Sequence, residues 1–348
     1  MGKGGKRRRS ESKVSHDEVA GYAQTEFLFK SNLFKLQTAE LIKEVTPAYG
    51  AATSGLEGAV RVLRSRLTAL PTAELCWERP TQPGRGAAVG SHAHLERHAL
   101  RGERVAMPWR PPAAVALVGS YLLRTSTAPE FNLDLTVQLP AGMFLQKDFL
   151  DGRYADKRSL YLAHLGHLLR GTAVGECTAC TAEDDALVRE VRFAALPHQQ
   201  SHEWPVLELV LGAAGAEAEA AASAEFGGWV VRLIPCITRE TFAWGKLRPQ
   251  RCNLREAGDL PSAAYNNLLR LESGYGAALS LAHATFARDG SGALREAAVL
   301  LKVWLGRRTR GQAGSVTGFQ LTLVLIYLLS TRVPPAGTWS RRSFGDVD

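Results

Sequence analysis

The residues best suited to chemistry lie in one stretch, Val115 to Val137, VALVGSYLLRTSTAPEFNLDLTV. Gly119 and Ser120 mark a turn between two apolar runs. In the second run Phe131, Leu133, Leu135, Val137 and Leu139 fall on one face of a strand, because successive strand side chains alternate. Asn132, Asp134, Thr136 and Gln138 fall on the other. Asn132 and Asp134 are therefore expected to point out of the apolar core, towards the Gly-Ser turn. A carboxylate at 134 suits a hard dication, but the neutral amide at 132 is a much poorer ligand.

A Gly-Ser turn followed by a strand with acidic positions two apart resembles the polymerase-beta-like nucleotidyltransferase fold. In active members the two carboxylates hold two Mg²⁺ ions, which clamp a nucleoside triphosphate for in-line attack. The Gly and Ser cradle the phosphates with backbone amides. In related poly(A) polymerases and archaeal-type CCA-adding enzymes a further strand carries a third carboxylate shortly before a Pro-Cys. Here that strand resembles Trp229 to Ile237, WVVRLIPCI, and the matching position is Arg232. The resemblance thus implies a degenerate site at Gly119, Ser120, Asn132, Asp134 and Arg232, with two of three carboxylates replaced. Asp134 is expected to pair with Arg232, since a half-buried charge needs a partner. No catalytic residue, metal or cofactor is expected, although a vestigial nucleotide pocket on Gly119 and Ser120 stays open. An active nucleotidyltransferase would need a replacement ligand, such as Glu130 or Glu208.

The elements that must hold this site can be placed in chain order. Residues 1–14 read as a disordered basic tail with Lys6, Arg7, Arg8 and Arg9 in a row, suited to a nuclear address or an RNA-touching arm. Ser15 and Glu18 have capping-box spacing, and a helix that packs by Phe29, Leu33 and Leu36 is expected to about Val45. A second helix fits Leu56 to Leu70, with Leu56, Val60, Leu63 and Leu67 inward. Residues 71–108 lack periodicity and read as an irregular connection. A helix within Lys147 to Arg170 buries Tyr154, Tyr161, Leu165 and Leu168, and Lys147, Arg153, Lys157 and Arg158 form either its wet face or a basic edge for phosphates. Strands are expected at 188–195 and 206–211, and a low-complexity insertion at 213–228. From Pro261 the pattern turns helical. Leu294, Ala298, Leu301 and Leu305 share the face of a helix containing Lys302, and Phe319 to Leu329 reads as a buried core helix.

Together these stretches resemble the nucleolar RNA-associated protein (Nrap) family. The match rests on SNLFKLQTAELIKEV at 31–45, VGSYLLRT at 118–125, FNLDLTVQLP at 131–140 and KDFLDGRYADKRSLYL at 147–162. VVRLIPCI at 230–237 and LLKVWLGRR with TGF within 300–319 complete it. The resemblance implies an α+β fold: a mixed nucleotidyltransferase-like sheet with helices, then a helical domain like that of poly(A) polymerases and oligoadenylate synthetases. The expected bounds are 15–108 for the N-terminal helices and connection, 109–255 for the first domain, 256–333 for the second and 334–348 for a disordered tail. The family repeats this unit in longer chains, so this sequence reads as one unit of such an architecture. The implied role is a non-catalytic scaffold of the nucleolar small-subunit processome, contacting pre-rRNA and processome proteins. RNA contact is expected at the Lys6–Arg9 run, Lys147, Arg153, Lys157, Arg158 and Lys302. The rival readings are an active RNA nucleotidyltransferase and a protein-only assembly module.

Composition agrees with a folded chain whose partner is acidic. The 348 residues are 45% hydrophobic and 22% charged, ordinary globular values, and suggest about two domains. The net charge of +8 favours nucleic acid. Five scattered cysteines, Cys76, Cys177, Cys180, Cys236 and Cys252, fit a reducing compartment better than a disulfide framework. Cys177 and Cys180 form a lone CxxC with no second pair for zinc, and His92, His94 and His98 read as loop histidines. No apolar run follows the basic start, so no signal peptide is expected. No run reaches the roughly 20 residues of a membrane span, so no membrane partner is expected; the scaffold role implied by the resemblance leaves no small-molecule substrate to expect.

Overall fold

Alternating apolar runs between turn residues build the centre of this chain as a mixed sheet. The computed structural model describes residues 16–50, 54–78, 104–128, 131–171, 187–195, 204–211, 229–255, 261–309 and 316–332. The Lys6–Arg9 run, Ser15, the His92–His98 group, Glu130, Cys177, Cys180, the 213–228 insertion and the C-terminal tail lie outside these residues.

Helix α1 (His16–Val45) forms one unit, and the chain from Thr46 onward forms another. On α1, Leu33, Phe34 and Leu36 are exposed, against the expectation of a packed helix. In the second unit, α2 (Ser54–Thr68) buries Leu56, Val60, Leu63 and Leu67 at helical spacing, as its pattern requires.

The stretch expected to be irregular contains two strands instead. β1 (Ala73–Glu78) pairs antiparallel with β2 (Arg104–Trp109). Leu75, Trp77, Val105, Met107 and Trp109 turn inward and are buried, while Glu74, Glu78 and Arg104 stay outside. Each strand is short, and its partner lies far along the chain, so local periodicity carries little of the signal.

The main sheet follows. β3 (Ala114–Val118), the single-turn helix α3 (Gly119–Leu122) and β4 (Asn132–Gln138) form the expected strand, turn and strand. α4 (Arg153–Gly171) leads to β5 (Val188–Ala195), β6 (Pro205–Leu211) and β7 (Val230–Cys236). The strand order is β3-β4-β7-β6-β5, with β4 and β7 parallel and the other neighbours antiparallel. The fold is therefore α+β with a mixed sheet. Leu133, Leu135, Val137, Val231 and Leu233 fill one face and are fully buried.

Helices complete the second unit: α5 (Ser262–Arg288), α6 (Ala293–Thr309) and α7 (Gly318–Arg332). They share a smaller core of Ala282, Phe286, Ala298 and Ile326, into which Leu123 from the end of α3 inserts. α7 is not the buried core helix its composition suggests, since Val324, Tyr327, Leu328 and Leu329 are exposed. No helix among the described residues is long and apolar enough to cross a membrane.

Candidate functional site

Gly119 opens the turn because no other residue fits there. Its φ is +76°, a conformation that only glycine adopts without strain. A Cβ at this position would collide with Asp134 Oδ2. The Asp134 carboxylate therefore rests against the Gly119 main chain, which places turn and acid side by side as the alternation required. Ser120 lies beside them, its Oγ accepting from Ser126 Oγ at 3.3 Å.

Strand register sets the rest of the site. Parallel pairing of β4 with β7 puts Arg232 opposite Asp134, and antiparallel pairing of β7 with β6 puts Glu208 opposite Arg232. Three neighbouring strands thus carry acid, guanidinium and acid in one row. Arg232 Nε donates to Glu208 Oε1 at 2.9 Å. Among the described residues Arg232 makes its ion pair with Glu208 rather than the expected one with Asp134, because the register offers it an acid on its other side; it acts on Asp134 through charge alone. Glu208, considered above as a substitute metal ligand, is engaged by the cation instead.

Asp134 Oδ1 is buried with no hydrogen-bond partner among the described residues. Burial raises its pKa, Arg232 and Lys302 oppose the rise, and Glu208 adds to it. Lys302 comes from α6, and its Nζ donates to Thr125 O at 3.0 Å and Thr125 Oγ1 at 2.9 Å. Burial lowers its pKa to about 8, against the pull of Asp134. Lys302 is thus half-buried and turned towards Thr125 rather than solvent, so the expected RNA contact at this residue is not on an exposed face. Phe319, at the start of α7, stacks on Tyr275 with centroids 5.4 Å apart.

These residues do not fit a pair of hard dications. Asn132 supplies an amide, Asp134 a single carboxylate, and Arg232 and Lys302 bring positive charge where ions would need negative charge. Among the described residues no three metal-ligating side chains converge.

The basic edge expected at the start of α4 divides into two parts. Lys147 and Arg153 are exposed. Lys157 and Arg158 are buried, which removes them from any surface that could meet RNA. Lys157 Nζ lies 2.7 Å from Asp148 Oδ2. Arg158 Nε lies 2.7 Å from Glu272 Oε1, its Nη1 donates to Pro205 O at 2.5 Å, and its Cζ sits 5.2 Å from the Trp204 ring centroid. Tyr154 donates to the other Glu272 oxygen. Sequence reasoning passed over residues 238–255, where cations outnumber acids and Trp244 interrupts the run. That excess of charge was the available signal.

Residues 96–288 match the family model described as Nrap protein domain 1. The chain is similar to Nucleolar protein 6 of Homo sapiens, with 30% identity over 332 residues, covering 91% of this chain and 26% of that protein. Nucleolar protein 6 of Mus musculus is 28% identical over 328 residues, with the same coverage of each. U3 small nucleolar RNA-associated protein 22 of Saccharomyces cerevisiae is 28% identical over 163 residues, covering 42% of this chain and 12% of that protein. The chain spans about a quarter of the length of its Nucleolar protein 6 relatives.

Proposed function

This chain belongs to the Nrap family, and on that premise we propose that it is a non-catalytic, nucleotidyltransferase-like scaffold in nucleolar ribosome biogenesis. Its place is the nucleolus, the compartment for which its relatives are named. The observation that carries the non-catalytic part is the row Asp134, Arg232 and Glu208 across β4, β7 and β6. In a two-metal transfer site the carboxylates answer to metal ions. Here a guanidinium is fixed between two acids, with Lys302 beside Asp134, so the charges balance within the protein.

What remains of such a site is the Gly119 turn and Asp134 on the sheet, faced by Lys302 from α6. In this reading the fold is kept for its surfaces, which contact pre-rRNA and proteins of the small-subunit processome. The exposed residues Lys147 and Arg153 belong to that RNA-contacting surface. The test is recovery of tagged chain from nucleolar extract, followed by probing of the co-purified RNA. Enrichment of 18S precursors over mature rRNA is expected. A chain that enters the nucleolus and brings down neither precursor nor processome proteins would contradict the scaffold reading.

A further inference from the structure

The loop after β7 carries positive charge that the protein itself does not cancel. Residues 238–255, TRETFAWGKLRPQRCNLR, contain Arg239, Lys246, Arg248, Arg251 and Arg255 against the single acid Glu240. Among the described residues only Arg255 of these has an ion-pair partner, Asp151 at 3.9 Å. Arg239, Lys246, Arg248 and Arg251 are exposed.

The loop is built, not loose. Asn253 and Asn266 are buried. Asn253 Nδ2 donates to Lys246 O at 2.9 Å and to Asn266 Oδ1 at 2.7 Å. Asn266 Nδ2 donates to Arg248 O at 2.9 Å and Arg251 O at 2.8 Å, and Ser262 Oγ donates to Arg251 O at 3.1 Å. The carbonyls of three basic residues are thus tied inward while their side chains stand in solvent. This preorganisation lowers the entropy lost on binding.

Trp244, in the same loop, gathers Arg239 and one further cation, Arg270. The guanidinium carbons of Arg239 and of Arg270 on α5 each lie 4.7 Å from its ring centroid. Neither arginine has a carboxylate partner among the described residues, so two like charges share one ring and repel each other. An anion between or beside them relieves that repulsion. The surface continues to the exposed part of the expected basic edge. Asp151 N donates to Asn253 O at 2.7 Å, and Arg153 approaches Asp151 at 3.8 Å.

We infer that this loop, with Arg153 and Arg270, is a binding surface for single-stranded RNA, separate from the retired cleft. Lys246, Arg248 and Arg251 contact successive phosphates, and the Arg239–Trp244–Arg270 stack receives a base on its planar groups. An acidic peptide would use the charges alone. The flat indole and guanidinium surfaces match a nucleobase, which stacks on such groups whatever its sequence. This inference rests on the RNA-contacting part of the proposed function.

The test is fluorescence anisotropy of a short 5′-labelled oligouridylate with the full chain over a series of salt concentrations. Each phosphate contact on a single strand contributes about 0.7 to the slope of log affinity against log salt. Arg248→Ala/Arg251→Ala is expected to lower that slope by about 1.4. Trp244→Leu is expected to weaken binding about tenfold with the slope unchanged, since stacking releases few counterions. Thermal melting of each variant checks that it is folded. Wild-type binding that both variants leave intact would overturn this surface and spare the RNA-contacting reading. No binding by the wild type would overturn both. Displacement of the RNA by polyglutamate as effectively as by unlabelled RNA, at matched ionic strength, would assign the loop to an acidic polypeptide instead.

Discussion

Lys302, beside Asp134, gives the candidate site a signature in the pH dependence of stability. Burial holds its pKa near 8, below the ordinary lysine value of 10.5. Between those values the unfolded chain binds more protons than the folded one, so stability rises with pH across that window. Below it both states are protonated, and the cost of keeping a buried ammonium charged is fully present. Lys302→Met is expected to remove this rise, as read from urea midpoints of variant and wild type from pH 8 to 10.5. An equal rise in both proteins would show that Lys302 stays hydrated. Asp134 acts in the opposite sense. Its raised pKa makes the folded state the better proton binder above the ordinary carboxylate value, so its contribution falls as pH climbs above that value. At this scale the sequence was informative: alternation along β4 put Asn132 and Asp134 on one face beside the Gly119 turn, and the resemblance singled out Arg232, which the register sets opposite Asp134. The partner of Arg232 was not legible, because Glu208 reaches it only through the adjacency of β6 and β7.

Elements meet through the ion pair between Arg158 on α4 and Glu272 on α5. Both groups are fully buried, and Glu272 also accepts from Tyr154. Removing one partner leaves the other charged in a dry site. Arg158→Ala is expected to cost about 3–5 kcal/mol in urea unfolding, whereas replacing both partners by apolar residues should recover much of that loss. A loss below about 1 kcal/mol, the value typical of an exposed pair, would place Arg158 at the surface. Helical periodicity located α4 and its inward tyrosines. It did not identify Arg158 as buried, because a charged residue enters a core only when a distant residue neutralises it. β1 and β2 escaped notice for a related reason: their pairing spans a long stretch of chain, and each carries charges on its outer face. The apolar composition of α7 misled in the other direction, since composition does not say which side of a helix is covered.

At the scale of the molecule, the described basic residues discussed above fall into two groups. Lys157, Arg158 and Arg232 pair with Asp148, Glu272 and Glu208, and Lys302 hydrogen-bonds Thr125. The cations of the 238–255 loop face outward. The net charge of +8 suits an acidic partner, while Asp134 and Glu208 face Arg232 within the sheet. The central claim is that the nucleotidyltransferase-like cleft transfers nothing. Its most direct test is nucleotide incorporation by the folded chain. Short RNA, all four labelled nucleoside triphosphates and Mg²⁺ or Mn²⁺ would be supplied, with Asp134→Ala alongside. No extension by either protein is the expected result. RNA extended by the wild-type chain and not by Asp134→Ala would contradict it.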